Sequence, residues 1–571
     1  MDGTYLPDAW STAVPDWKDR IRNGRSLIPD LPLDEKRAAR ALDIFKSLRV
    51  PDLIGQPTFG EVGEPWIFDL VRAIFGAVDP VTRVRVLREF FVMVAKKNTK
   101  TTISAAIIVT ACLLNEQPYH EFILIAPTIN IAQHAYKQVK GIIAASTLSD
   151  GTALQPLFHT RDQLRQIELL NKALPSSIAI KAADTDIVTG FKNGSALVDE
   201  LHELAAKSNA EAILLEITGA MASPENTGFL LTITTQSKRA PAGAFKAQLA
   251  VARDVRDGKI RLPMLPVLFE MPPEDAADDG WRDRSRWRMA NPNLGRSVDL
   301  AFLEAELAKA DAKDPEAVAL FASQHLNVEV GLSLHGESWA GARYWEAAAE
   351  PGLTLDAILA RSEVIVAGID GGGLDDLCAL ALIGREKGSR RWLAWVRAWA
   401  QPDVLEQRKQ LVPRLRDFEA DGDLVICRTT SQADEDIAAI LSRVHAAGLF
   451  PEAAGIGLDA YGVATILDAL DGVGLGQPIT TAVPQGYKLQ SAINTVPRKV
   501  KDRTLRHCGQ PLLAWAIGNA KAELKGSNTV VTKQAAGAAK IDPFMALMDA
   551  AMLMLANPVA AGGGVSFWEA V

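Results

Sequence analysis

An α/β fold in two successive domains is what this chain predicts, on three observations. Between about 85 and 330, short apolar strands alternate with amphipathic helices, the pattern of a mostly parallel sheet covered on both faces. From 362 a different pattern begins, a run of strands and then strands separated by helices. At 571 residues the chain also exceeds what a single core accommodates. The boundaries read as an N-terminal helical segment at 1–48, a first α/β domain at 49–326, a connection at 327–360 and a second α/β domain at 361–571.

In the first domain the strands are expected at 90–94, 121–126, 177–180, 194–198 and 228–234, with helices at 101–114, 131–145 and 300–310. The stretch 256–298, dense in Asp, Arg, Pro and Trp, reads as loop, with a flap over a site as one use for it. The connection has weak periodicity, the aromatics Trp339, Tyr344 and Trp345, and the turn pair Pro351-Gly352. The second domain opens with the apolar strand Val364-Ile-Val-Ala-Gly-Ile369, ending at Asp370. Strands at 377–383 and 391–399 are expected to pair with it as a meander, and later strands are expected at 424–427, 456–458 and 478–482.

Hydrophobic residues at 48% and charged residues at 23% place the chain among ordinary globular proteins. Its four cysteines, Cys112, Cys378, Cys427 and Cys508, show no paired spacing, which argues against a disulfide framework or a zinc ribbon. The N-terminus has no signal-peptide pattern, and the longest apolar run, 103–114, is too short to span a bilayer, so a soluble intracellular protein is expected. A net charge of −8 does not advertise nucleic acid, but Arg83, Arg85 and Arg88 form one basic cluster and Arg498, Lys499, Lys501, Arg503 and Arg506 another. Each cluster reads equally as a phosphate contact or a solvated face.

The chemistry concentrates at strand ends. A nucleotide-binding P-loop needs backbone amides around phosphate oxygens, a lysine reaching the β/γ-phosphates and a Ser/Thr hydroxyl on magnesium. Lys100 and Thr101 supply the last two, between a strand and a helix, although Val94 and Thr99 stand where glycines are usual. A strand-to-helix turn rich in solvated lysines is the competing reading. The apolar strand Ala196-Leu-Val198 ends in Asp199-Glu200, as a motor ATPase requires: one carboxylate for magnesium, one to orient the attacking water. His202-Glu203 does not extend to a zinc-binding HExxH, because position 206 is Ala206. Thr232-Ile-Thr-Thr-Gln236 ends the next strand, where hydroxyl and amide groups could sense the γ-phosphate.

Taken in order, these motifs resemble the large terminase subunit of tailed bacteriophages, over about 65–555. The resemblance is carried by Val94-Ala-Lys-Lys-Asn-Thr-Lys-Thr-Thr102, Ile125-Ala-Pro-Thr128 with Gln133-His-Ala135, Leu197-Val-Asp-Glu-Leu-His202 and Thr234-Thr-Gln236. It continues with Gly368-Ile-Asp370, Leu458-Asp459, Pro511-Leu-Leu-Ala-Trp515 with Asn519, and Lys540-Ile-Asp-Pro-Phe-Met-Ala546. It implies a P-loop ATPase of the ASCE type followed by an RNase H-like nuclease. ATP would be bound by Lys97, Asn98, Thr99, Lys100, Thr101 and Thr102, with Mg2+ on Thr101 and Asp199. Glu200 would be the catalytic acid, and Lys96 would stand where the family often has an arginine that stabilises charge on the γ-phosphate. The family often has Gln after a Trp in the adenine-binding segment; here Ile67 follows Trp66.

In the second domain the resemblance implies a nuclease site of Asp370, Asp459 and Asp542 holding Mg2+ or Mn2+ for phosphodiester hydrolysis. Gly371-Gly-Gly373 would admit a phosphate backbone, Lys533 and Lys540 are candidate phosphate contacts, and Asp549 is a reserve carboxylate two turns beyond Asp542. A helix-capping or first-turn role is the competing reading for Asp542. The implied partners are double-stranded DNA, a small terminase subunit and a portal protein on which several copies assemble, with no membrane. The implied location is the host cytoplasm, transiently at the procapsid portal vertex. Two other functions stay open at this point: a nucleotide-dead scaffold binding DNA or portal, and an ATP-independent nuclease of RNase H fold.

Overall fold

The computed structural model describes the chain except residues 1–5, 80, 183–193, 208, 222–226, 331–338, 372–374, 460–463, 526–527, 534–539 and 562–571. It divides into two compact units, Met1–Val330 and Gly331–Val571.

Unit 1 is built on an eight-stranded sheet. Its strands in chain order are β1 (Glu89–Met93), β2 (His120–Ala126), β3 (Phe158–Arg161), β4 (Gln166–Leu169), β5 (Ser176–Ala182), β6 (Gly194–Asp199), β7 (Leu230–Thr234) and β8 (Met264–Leu268). Across the sheet they run β3-β4-β5-β2-β6-β7-β1-β8. All neighbours are parallel except the β3–β4 and β4–β5 pairs. Alternate residues feed two cores: Phe90 and Val92 face one side of β1, Phe91 and Met93 the other, and β2 behaves likewise. Both faces are therefore covered, which is why these strands read as continuous apolar runs. Residues of the first fifty, among them Trp10, Trp17 and Phe45, are buried in the same core as β1.

Two parts of unit 1 escape the sequence reading. β3 and β4 are short and half polar (FHTR, QIEL), so no run marks them. β8 lies inside the stretch expected to be loop, and its Pro266 is tolerated because β8 is the sheet's edge strand. Between Pro273 and Met289 the stretch forms short helical turns, and 290–298 is loop as expected. The expected helices appear as Lys100–Leu113, Ile129–Ala145 and Leu300–Lys313.

Unit 2 holds β9 (Ser362–Asp370), β10 (Leu377–Glu386), β11 (Trp392–Ala400), β12 (Leu424–Ile426), β13 (Ile456–Leu458), β14 (Thr480–Ala482) and β15 (Leu505–His507). The first three form the expected antiparallel meander, and β13 and β14 add in parallel beyond β9. A separate hairpin pairs β16 (Ala520–Lys525) with β17 (Asn528–Lys533). A meander extended by parallel strands, with helices on both faces, is the RNase H-like arrangement. Parity again assigns the faces: Val364 and Val366 of β9 belong to one core, Ile365, Ala367 and Ile369 to the other. Asp370 falls on the Val364 side, the side covered by the helix Asp542–Leu555. Trp339 and Trp345, from the stretch read as a connection, are buried in this same core.

Candidate active sites

In unit 1, β1, β6 and β7 are parallel and nearly in register, so their C-terminal ends meet at one edge: Met93 pairs with Thr234, and Asp199 with Ile233. Such an edge is where open α/β sheets bind ligands. Because β7 lies between β1 and β6, the Thr234–Gln236 segment sits between the lysine-rich loop and the Asp199-Glu200 pair.

The loop ends at the N-terminus of the helix Lys100–Leu113, which leaves the first amides of that helix unbonded and favours an anion there. Lys100 is only 7% exposed, and its ammonium donates to the carbonyls of Val94 and Ala95, both at 3.3 Å. Burial lowers its pKa, opposed by Glu200 and Asp199. Thr101 donates its hydroxyl to Oδ2 of Asp199 at 2.9 Å. The other oxygen, Oδ1, is buried without a hydrogen bond. Burial, with Glu200 adjacent, pushes the Asp199 carboxyl up to about 6. A hydroxyl joined to a carboxylate with one unsatisfied oxygen fits a hydrated Mg2+ bound to a nucleotide.

Glu200 adopts a left-handed backbone, φ 55°. Its Oε2 lies 3.2 Å from Nδ1 of His202 and accepts the Thr235 hydroxyl at 3.5 Å. His202 is buried, receives a further contact from Thr234 Oγ1 at 3.1 Å, and reaches Glu203 through Nε2 at 3.5 Å. Hydrogen bonding from His202, then from Lys238, holds Glu203 down at about 2. His202 thus ties the ends of β6 and β7 together, a role its sequence context did not disclose.

Lys96 lies on the same edge, its pKa lowered by burial and by Lys238 while Glu200 opposes. Lys97 and Thr99 are exposed, with φ of 72° and 56°, and Thr102 is buried. The Asn98 side chain turns inward, fully buried, donating to the Ala95 carbonyl at 3.0 Å and to Asn291 Oδ1 at 2.8 Å. Asn293 answers it: its amide donates to Asn98 Oδ1 at 3.1 Å, and its side chain to the Asn98 carbonyl at 3.3 Å and Thr99 Oγ1 at 3.2 Å. Trp66 donates its indole N–H to Asn293 Oδ1 at 2.8 Å, and Ser297 donates to the Lys97 carbonyl at 2.8 Å. Residues 291–297, within the stretch read as loop, are therefore hydrogen-bonded to the lysine-rich turn. Sequence reasoning missed these residues because their partners lie about two hundred positions away.

In unit 2, Asp370 ends β9, and Asp459 follows β13, whose Leu458 pairs with Ile369. The helix Asp542–Leu555 lies across β9 at Gly368, with Asp549 Cβ 3.0 Å from where a Gly368 side chain would begin. Burial, then the charges of Asp542, Asp549 and Asp459, raise the Asp370 carboxyl well above its usual range. Asp549 is fully buried; Gln485 donates to its Oδ1 at 2.9 Å, and its Oδ2 has no hydrogen bond. Among the described residues no three His, Cys, Asp or Glu side chains lie close enough together to hold one metal ion. What this set has is mutual repulsion and all-oxygen donors, which fits a hard divalent cation.

Two expectations are corrected. Lys540 is not offered to DNA: its side chain is 5% exposed and paired with Asp376 at 2.8 Å. The cluster around Arg85 is not a surface patch either, since Arg85 is buried, donates to the carbonyls of Thr227 and Ile74, and is lowered by burial to about 9. The second cluster keeps Arg498, Lys501 and Arg503 exposed on or just after the helix Gln490–Lys501, while Lys499 covers Trp392 at 4.3 Å. Gly372 and Gly373, and the side chain of Lys533, lie outside the described residues.

Two family models match the chain: "Terminase large subunit, ATPase domain" over residues 65–246 and "Terminase large subunit, endonuclease domain" over residues 269–557. Among curated proteins, YmfN of Escherichia coli K12 is 23% identical over 368 residues, covering 62% of this chain and 75% of that protein. Among solved structures, the bacteriophage HK97 large terminase is 20% identical, covering 90% of this chain and 99% of that one, with a TM-score of 0.44. A large terminase from a thermophilic bacteriophage, solved in complex with ADP, is 12% identical, covering 83% and 94%, with a TM-score of 0.30.

Proposed function

The chain belongs to the terminase large-subunit family, and from that premise we propose how its residues divide the work of an ATP-driven DNA packaging motor and a metal-dependent endonuclease. The observation that carries the motor assignment is the Thr101–Asp199 hydrogen bond beside Glu200, at the end of a parallel sheet. Lys100 compensates the β/γ-phosphates, and Lys96 adds positive charge at the γ end. Thr101 and Asp199 would hold Mg2+, which would neutralise charge on the phosphate oxygens. Glu200, steadied by His202 and Thr235, orients the attacking water. Through His202 that carboxylate is joined to Thr234 at the end of β7.

In unit 2, Asp370, Asp459 and Asp542 would hold Mg2+ or Mn2+, which supplies an activated water and stabilises the leaving oxygen in phosphodiester hydrolysis. Asp549 shapes the field around them from the same helix. Several copies would act on a portal, with a small subunit choosing the start site, in the host cytoplasm and at the procapsid. No helix among the described residues is long and apolar enough to cross a membrane. The scaffold reading finds no support in an edge where hydroxyl, carboxylate and lysine are all kept.

The test is ATP turnover with linear double-stranded DNA. Glu200→Gln is expected to lower kcat by about 100-fold or more, the scale of losing a general base. Turnover that survives this change would remove Glu200 from its role.

A further inference from the structure

The loop 94–100 lacks the glycines that normally let a chain curl around phosphate, yet it adopts conformations glycine favours. Lys97 has φ 72° and Thr99 φ 56°, and for a β-branched residue such as Thr99 a positive φ is a true outlier. Conformations of this kind persist where surroundings over-determine them. Here the surroundings are specific. Asn293 grips both sides of the turn, donating to it three times: to Asn98 Oδ1, the Asn98 carbonyl and Thr99 Oγ1. Asn291 accepts from the buried Asn98 side chain, and Ser297 holds the Lys97 carbonyl. Asn291 is itself anchored, donating to the His325 carbonyl at 2.7 Å, and Asn293 is fixed by Trp66.

We infer that Asn293, with Asn291 and Ser297, is a positioning device that replaces the missing glycines, holding the Lys97–Thr99 turn in the left-handed shape that presents its amides and Lys100 to the phosphates of ATP. This rests on the nucleotide-binding reading of the loop. None of the three needs to touch the nucleotide. Their effect is on the fraction of molecules whose loop is ready, so it belongs in ATP affinity rather than in the chemical step.

The experiment is a double-mutant cycle on the full chain, measuring MgATP binding and steady-state KM and kcat. Asn293→Ala is expected to raise Kd and KM for ATP about 10-fold with kcat changed less than about 2-fold. In a Thr99→Gly background, where the left-handed turn is no longer disfavoured, the same change is expected to raise KM by less than about 3-fold. Equal effects in both backgrounds would overturn the inference, because a general loss of packing is not relieved by glycine at 99. Should Asn293→Ala fail to fold, Ser297→Ala at an exposed position provides the same cycle with Lys97→Gly, expected at about 3-fold and about 1-fold. No rise in KM with Ser297→Ala in the folded protein would then overturn it. Lys100→Ala separates the two levels. MgATP binding unaffected by Lys100→Ala would sink the nucleotide reading and the inference together; binding lost with Lys100→Ala but untouched by Asn293→Ala would sink the inference alone.

Discussion

Asp549 is a carboxylate whose surroundings favour its neutral form. It is fully buried, one oxygen has no hydrogen bond, and burial pushes its pKa up to about 8, with Asp459 adding to the rise and Gln485 opposing it. Between an unfolded pKa near 4 and the folded value, the folded chain binds the extra proton, so this contribution to stability is complete below about pH 4 and is lost as pH rises toward 8. In chelator, Asp549→Asn is expected to raise the unfolding free energy at pH 8 by about 1–3 kcal/mol and to have little effect near pH 4. Chemical denaturation at the two pH values checks this, and an equal gain at both would mean charge is not the cause. Asp549 was legible in sequence through its two-turn spacing from Asp542. Gln485, Asn291 and Asn293 were not, because a polar residue in a loop carries no period and its partner is distant in the chain. Lys540 was legible as a cation but not as a buried one, since its partner Asp376 lies across the fold.

Among elements, the seating of the helix Asp542–Leu555 on β9 depends on one absent side chain. A Cβ at Gly368 would overlap the Ala546 carbonyl oxygen and the Ala550 amide nitrogen, which are backbone atoms of that helix and cannot swing aside. Gly368→Ala is therefore expected to destabilise unit 2 by about 1–3 kcal/mol and to lower DNA cutting by displacing Asp542 from Asp370. Thermal denaturation and a nicking assay read the two effects, and a variant as stable and active as the parent would show the contact is not tight. The strands around it were readable because alternate residues on β9 and β10 enter different cores and both sets are apolar. β8 was hidden by Pro266, and β3 and β4 by their shortness and half-polar sequences.

For the whole molecule, the two proposed sites are assembled from separate stretches of chain: the proposed nucleotide site from residues between 64 and 327, the carboxylate set from residues between 370 and 549. Asp370→Asn is accordingly expected to abolish cutting of plasmid DNA while leaving DNA-stimulated ATP hydrolysis within about 2-fold, the additivity of distant sites. A parallel fall in both rates would mean that the sites work as one. This division was visible in the sequence as the change near 362 from strands alternating with helices to a run of successive strands, with the second carboxylate site at the end of the first of them. The two units meet between Val330 and Gly331, inside the stretch 327–360 read as a connection. The match to the endonuclease family begins at 269, yet Asn291, Asn293, Ser297 and Asn327 fold with unit 1, where Asn327 also binds the Gln236 amide. For recombination between related genomes this sets a rule: a crossover near 269 that imports a foreign nuclease half also imports a foreign grip on the nucleotide loop, whereas one placed after Asn327 exchanges the cutter and leaves the motor whole.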